Sequence, residues 1–212
     1  MNIALFGASG NIGRRIAQEA LARGHELTAI VRDAGQLNLA HPKLKSVKGD
    51  ILDAAEVALT TAGHDAVISA YGPGPDGNPQ SIAEAARSLL AGVQRAGVKR
   101  LIVVGGAGSL EATPGVALMD TPEFPAASKP TALAHADALA ILQGNIDVDW
   151  TFVSPAESMM PGERTGQYRT GADQLVRDAE GRSRISIEDF AVALLDELEN
   201  PRFIRRRFTV AY

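Results

Sequence analysis

The chain has 212 residues, 45% of them hydrophobic and 22% charged, with a formal net charge of −4 and no cysteine. That length is enough to bury a full hydrophobic core within one large domain, 1–212. The mildly acidic balance leaves no electrostatic footprint for nucleic acid, the missing cysteines remove disulfides and thiolate chemistry, and no window approaches the roughly 18 apolar residues of a membrane helix.

The first residues, Asn2-Ile3-Ala4-Leu5-Phe6, read as a strand and not as a basic region leading into a hydrophobic signal. A soluble, cytoplasmic protein is therefore expected. Further strands are expected at Glu26–Val31, Leu44–Lys48, Ala66–Ser69, Arg100–Val104 and 150–153. Helical periodicity falls between them, at 11–23, Ala54–Thr61, Ser81–Ala96 and 131–142. In the first helix Ile12, Ile16, Ala20 and Leu21 recur on one face, and Gly24 fits a left-handed cap after it. Ser186-Ile187-Glu188-Asp189 has the form of a capping box with Asp in the Glu position, opening a helix whose apolar face is Phe190, Leu194, Leu195 and Leu198. Asn200-Pro201 stops that helix, and 208–212 reads as a last strand at the sheet edge. Short strands alternating with helices predict an α/β fold, a Rossmann-type doubly wound parallel sheet. Arg205-Arg206-Arg207 reads as a solvated edge, with a partner site as the alternative.

Two segments break the alternation. Residues 105–127 and 154–171 are rich in glycine, proline and small side chains, and each follows a strand. In open parallel sheets ligands bind beyond the carboxyl ends of the strands. These segments are the expected substrate-side elaboration, or else plain surface loops.

The run Gly7-Ala8-Ser9-Gly10-Asn11-Ile12-Gly13 follows a strand and opens a helix. Gly7 permits the tight turn, Gly10 lets backbone approach a pyrophosphate, and Gly13 lets helix and strand pack closely. The exposed N–H groups and the helix dipole favour phosphate, so Gly7, Ser9, Gly10, Asn11, Ile12 and Gly13 are candidate dinucleotide ligands. Arg32 stands at the end of the second strand, nineteen residues after Gly13, with Arg14 in the first helical turn. A guanidinium there suits the 2′-phosphate of NADP(H), which is favoured over NAD(H). The neighbouring Asp33 keeps NAD open, because a small register shift would put a carboxylate at the ribose. Asp50 and Ile51 are placed to cover the adenine, although Asp50 could simply cap the next helix. Ala70, Tyr71 and Gly72 would lie along the middle of the cofactor, with loop packing the alternative for Tyr71.

Together the glycine turn, Val31-Arg32-Asp33, Gly49-Asp50-Ile51, Val103-Val104-Gly105-Gly106-Ala107 and Thr151-Phe152-Val153-Ser154-Pro155 resemble the atypical short-chain dehydrogenase/reductase superfamily. The likeness is to its NmrA-like and NADH-flavin-reductase-like group, with biliverdin-IXβ/flavin reductase as a cousin, and it continues into Arg184–Asp189. The resemblance implies a Rossmann fold, a nicotinamide cofactor, and a substrate over the nicotinamide near 105–109 and 154–157. Ordinary members carry a catalytic Tyr with a Lys four residues later. Here Tyr71 is followed by Pro75, Tyr168 by Ala172, and Tyr212 ends the chain; Lys129 is preceded by Pro125. That pair is absent. The flavin-reductase cousins have Ser after the fifth strand and His after the sixth. Ser109 matches the first, and Glu157 stands where the second is expected. His135 lies on the helix from which the missing Lys would project. Ser109, Glu157 and His135 are therefore the candidate catalytic residues, each with a bland alternative as loop or helix-face polarity. The four histidines show no ligand spacing, and no metal is expected.

A ketone needs a positioned acid, whereas flavins and quinones accept hydride into a delocalised anion that solvent can protonate. The expectation is an NADPH-dependent reductase of flavin or quinone-type acceptors, with flavin as substrate and not as prosthetic group. A redox-silent NmrA-like sensor and a sugar-nucleotide epimerase or dehydratase are the alternatives. The expected partner is a small-molecule acceptor, with no nucleic acid and no membrane, and the chain a monomer or homodimer.

Overall fold

In the computed structural model, which describes residues 1–33, 37, 39–73 and 77–212, strand and helix alternate along the chain. The order is β1 (Asn2–Phe6), α1 (Asn11–Ala22), β2 (Glu26–Val31), β3 (Leu44–Lys48), α2 (Ala54–Thr61), β4 (Ala66–Ser69), α3 (Ser81–Ala96) and β5 (Arg100–Val104). After a small hairpin, β6 (Glu111–Thr113) and β7 (Val116–Ala117), come α4 (Lys129–Gln143), β8 (Asp149–Ser154), β9 (Ser158–Met160) and β10 (Arg169–Gly171). The chain finishes with β11 (Arg184–Ser186), α5 (Ile187–Glu199) and β12 (Arg206–Ala211).

The main sheet has eight strands in the order β10-β12-β8-β5-β4-β1-β2-β3. All neighbours are parallel except β10 against β12. Because side chains alternate along a strand, the central strands β1, β2, β4, β5 and β8 each feed two cores. Ile3, Leu5, Ile102 and Val104 pack under α1 and α5, while Ala4, Phe6, Leu101 and Val103 pack under α2, α3 and α4. A strand buried on both faces needs a continuous apolar run, and β1, β4 and β5 have one.

Helix ends follow local chemistry. Gly24 adopts a positive φ of 86° just past α1, where a Cβ would be strained. Asp53 caps α2, accepting from the Ala55 and Glu56 amides at 2.7 and 3.2 Å. Ser186 caps α5 through the Asp189 N–H at 2.9 Å. The reciprocal half of the expected box is missing, because the buried Asp189 carboxylate instead accepts from Thr165, Gly166 and Tyr212. The last strand is also displaced from expectation. β12 lies inside the sheet against β8, and β10 takes the edge.

Candidate functional site

The cleft at the carboxyl ends of β1 to β4 is shaped by close backbone contacts. Gly7 has φ 79°, and a Cβ on it would stand 2.5 Å from the Ala70 carbonyl oxygen. The Gly10 N–H donates back to the Gly7 oxygen at 3.0 Å, closing a tight turn. Gly10 is then the N-cap of α1; no side chain among the described residues caps this end, and no acidic residue occupies its first turn. Unpartnered N–H groups and the positive end of the helix therefore face the cleft. A Cβ on Gly10 would meet only the Gly7 oxygen, at 3.3 Å, so the glycine leaves an open cradle at that point. These features fit a diphosphate, and Gly7, Ser9, Gly10, Asn11 and Ile12 are the residues that would hold it.

Arg15 braces the turn. It donates to the Asn11 backbone and side-chain oxygens and, through Nε, to Glu188 at 3.1 Å. Burial works against the Glu188 charge, but the Gly162 N–H and Arg15 together hold its carboxyl below the usual range. Arg32 is exposed on the rim of the same cleft and forms no ion pair or hydrogen bond among the described residues.

The cleft has a volume of about 460 Å³, and its walls gather Arg32, Ile51, Ala70, Tyr71 and Gly72 with the glycine turn. Gly13 lies behind that wall as a packing residue. Asp50 is not part of the lining. Its carboxylate accepts from the Leu52 N–H at 2.9 Å and its own N–H donates to Glu56, so it organises the turn before α2, while Asp53 does the capping. Tyr71 lines the cleft with its ring, but its hydroxyl donates to Ser81 at 3.0 Å and pins the start of α3. Sequence reasoning missed Phe6, Ile30, Val31 and Gly49, which also line the cleft. They are the last one or two residues of strands or follow them directly, and the rule that ligands sit beyond strand ends was the available signal.

A second cavity, of about 710 Å³, opens beyond β5 and β8. Since β4 and β5 are paired neighbours, the two hollows lie side by side along the sheet's carboxyl edge. Gly106, Ala107 and Gly108 form its floor, Leu118, Phe124 and Pro125 come from the long segment after β5, and Thr131, Ala132 and His135 project from α4. Pro155, Ala156, Glu157 and Met159 close the far side.

The three candidate catalytic residues are not brought together. His135 and Glu157 line the cavity and Ser109 does not. The Ser109 hydroxyl accepts from Arg207 at 2.9 Å, and Arg207 is itself paired with Asp173 at 2.6 Å, so the serine serves to fasten the loop to β12. Glu157 is half-exposed and 3.5 Å from Arg177. His135 packs against the Gly106 backbone, burial holds its imidazole down to about 4, and its Nδ1 has no hydrogen-bond partner. Among the described residues no tyrosine or lysine lines the cavity. Lys129 pairs with Asp120 at 3.2 Å. The Tyr168 hydroxyl donates to Asp196, and burial together with that carboxylate pushes it up.

No helix among the described residues is long and apolar enough to cross a membrane.

The architecture has close counterparts. A Burkholderia pseudomallei structure, provisionally named an exported protein, is 49% identical with a TM-score of 0.92, each chain covered in full. A Bacteroides thetaiotaomicron structure, provisionally named an epimerase, is 42% identical with a TM-score of 0.92, covering 100% of this chain and 96% of its own. A Streptococcus pneumoniae structure, provisionally named an NADH-flavin reductase, is 36% identical with a TM-score of 0.83, covering 100% and 99%. The uncharacterized protein YwnB of Bacillus subtilis is 42% identical across 99% of this chain and 98% of its own. The profile of the NAD(P)H-binding family matches residues 7–198. The chain thus belongs to the NAD(P)H-binding family.

Proposed function

We propose that the chain is an NADPH-dependent reductase of flavin- or quinone-type acceptors. The observation that carries this reading is the pairing of two neighbouring hollows, one a glycine cradle with Arg32 on its rim, unpaired among the described residues, the other a roomy cavity whose described lining has no Tyr–Lys acid. When bound in the first, the reduced nicotinamide supplies a hydride, that is, two electrons and one proton. Arg32 supplies a fork that matches a 2′-phosphate, and the α1 N-terminus carries the diphosphate charge. The second hollow would hold the acceptor face-on and exclude bulk water, while the acceptor's remaining proton comes from solvent. Acceptors that form delocalised anions need no strong acid, which suits a cavity whose one histidine is held neutral. The name of the Streptococcus pneumoniae neighbour is in keeping with this reading.

Steady-state oxidation of NADPH by the purified chain with riboflavin, FMN, FAD and simple quinones tests it. Rates well above buffer support the reading, and buffer rates with every acceptor reject it. One observation favours the sensor alternative: Ser109 and Tyr71 both spend their hydroxyls on internal contacts. Nucleotide-dependent capture of a protein partner, without turnover of any acceptor, would select it.

A further inference from the structure

The cavity beyond β5 and β8 has a charge pattern that the glycine cleft lacks. Among the described residues two carboxylates, Glu123 and Glu157, stand in its lining, and no lysine or arginine does. Glu157 is partly offset by Arg177 at 3.5 Å, which lies outside the lining. Glu123 is exposed and has no ion pair among the described residues. Lys129, six residues on, is already taken by Asp120.

A second, independent feature points to a ligand at the same place. His135 is a half-buried polar side chain of this wall, and its Nδ1 is enclosed without a partner among the described residues. An orphaned buried N–H is rarer and costlier than a bare lone pair, so the ring proton belongs on Nε2, which is not among the enclosed atoms. The wall therefore offers one neutral donor to a carbonyl or ring nitrogen, beside two negative charges.

We infer that the cavity selects its acceptor by charge: it takes neutral, planar acceptors and disfavours phosphorylated or carboxylated ones, with Glu123 as the specificity-determining residue. The inference rests on the reductase reading for the identity of the ligand as a redox acceptor. A doubly charged phosphate within about 8 Å of a carboxylate in water-like surroundings is disfavoured about fivefold, and salt weakens the effect.

Riboflavin and FMN share one ring system and differ by a phosphate, so they isolate the charge term. Binding is followed by quenching of flavin fluorescence with oxidised NADP present, and turnover by NADPH oxidation, each at low and high salt. Riboflavin is expected to bind at least about fivefold more tightly than FMN at low salt, with the gap closing at high salt and in Glu123→Gln, and reversing in Glu123→Lys. Melting curves of both variants verify that they are folded. Equal or tighter binding of FMN by the unaltered chain at low salt overturns the inference, as does failure of both flavins to bind. Charge-selective binding without turnover of either flavin or of a neutral quinone upholds the selection and refutes the reductase.

Discussion

Gly13 lies against Gly7 so closely that a Cβ at position 13 would stand 2.1 Å from the Gly7 carbonyl oxygen. Both groups are backbone, one at the strand-to-helix turn and one in the first turn of α1, so neither can swing aside. Gly13→Ala is expected to destabilise the fold by about 3 kcal/mol. Gly10→Ala meets only the Gly7 oxygen, at 3.3 Å, and fills the cradle instead. It should melt within about 2 °C of the unaltered chain while losing nucleotide affinity. Thermal melts with and without NADPH distinguish the two.

The proposed reading assigns Arg32 the preference for NADPH over NADH. Removing a charge-assisted phosphate contact costs about 1.5 to 3 kcal/mol. Arg32→Ala should weaken NADPH about 10- to 100-fold and leave NADH within about twofold. Calorimetric titration of both nucleotides into both proteins measures the difference. Equal losses for the two would remove Arg32 from the 2′-phosphate.

His135 gives the fold a pH dependence. Burial lowers its folded value to about 4, below the ordinary 6.5 of the unfolded chain, so the folded state binds fewer protons between these limits. Stability is then complete above about pH 6.5 and declines as pH falls toward 4, by up to about 3 kcal/mol. Arg164 and Arg23 hold Glu19 below the usual carboxylate range, so its own contribution is lost only in a more acidic window, below about 4.5. Denaturant unfolding at about pH 5 and about pH 7.5 should differ for the unaltered chain and much less for His135→Leu.

Glu197 ties β5 and β8 to the end of α5. Its buried carboxylate accepts from Arg100 at 2.9 Å, Thr151 at 3.1 Å and the Arg202 and Phe203 amides. Glu197→Ala would strand a buried guanidinium and should cost about 3 to 5 kcal/mol, read as a melting point roughly 10 °C lower. The nucleotide affinity of the folded fraction should not change, since this network lies outside both hollows.

Ser109 is expected to be dispensable for chemistry. A general acid contributes about 10²- to 10⁴-fold, whereas Ser109→Ala should change kcat for any accepted flavin or quinone by less than about threefold. A loss of about 100-fold or more would mean that the serine leaves Arg207 and enters the cavity during turnover.

The bounds of β1, β2, β4 and β5 were legible because each is a largely apolar run between polar or glycine-bearing turns, whereas β3, Leu44-Lys45-Ser46-Val47-Lys48, shows only alternation. The glycine turn was legible for the same local reason: one short stretch carries strand end, tight turn and helix start. What escaped has its cause far away in sequence. β9, β10 and β11 are three residues each and form through partners such as Ser158 with Arg184 and Arg169 with Ala211. Asp189 looked like the acidic half of a capping box, but the Tyr212 hydroxyl and the loop at Thr165 claim its carboxylate. Ser109 matched a family position by spacing, yet Arg207, 98 residues on, decides where it points. His135 was placed on the right wall because α4 is regular enough for spacing to predict a face; its lost hydrogen-bond partner was invisible until the loop after β5 was in place.

The central claim is that a nucleotide in the glycine cleft reduces an acceptor in the neighbouring cavity. Anaerobic rapid mixing of the NADPH-loaded chain with riboflavin tests it directly. Bleaching of the flavin should match loss of NADPH one for one and slow when the transferred hydrogen is deuterium. A chain that binds NADPH tightly yet bleaches riboflavin and a neutral quinone no faster than free NADPH does would contradict it.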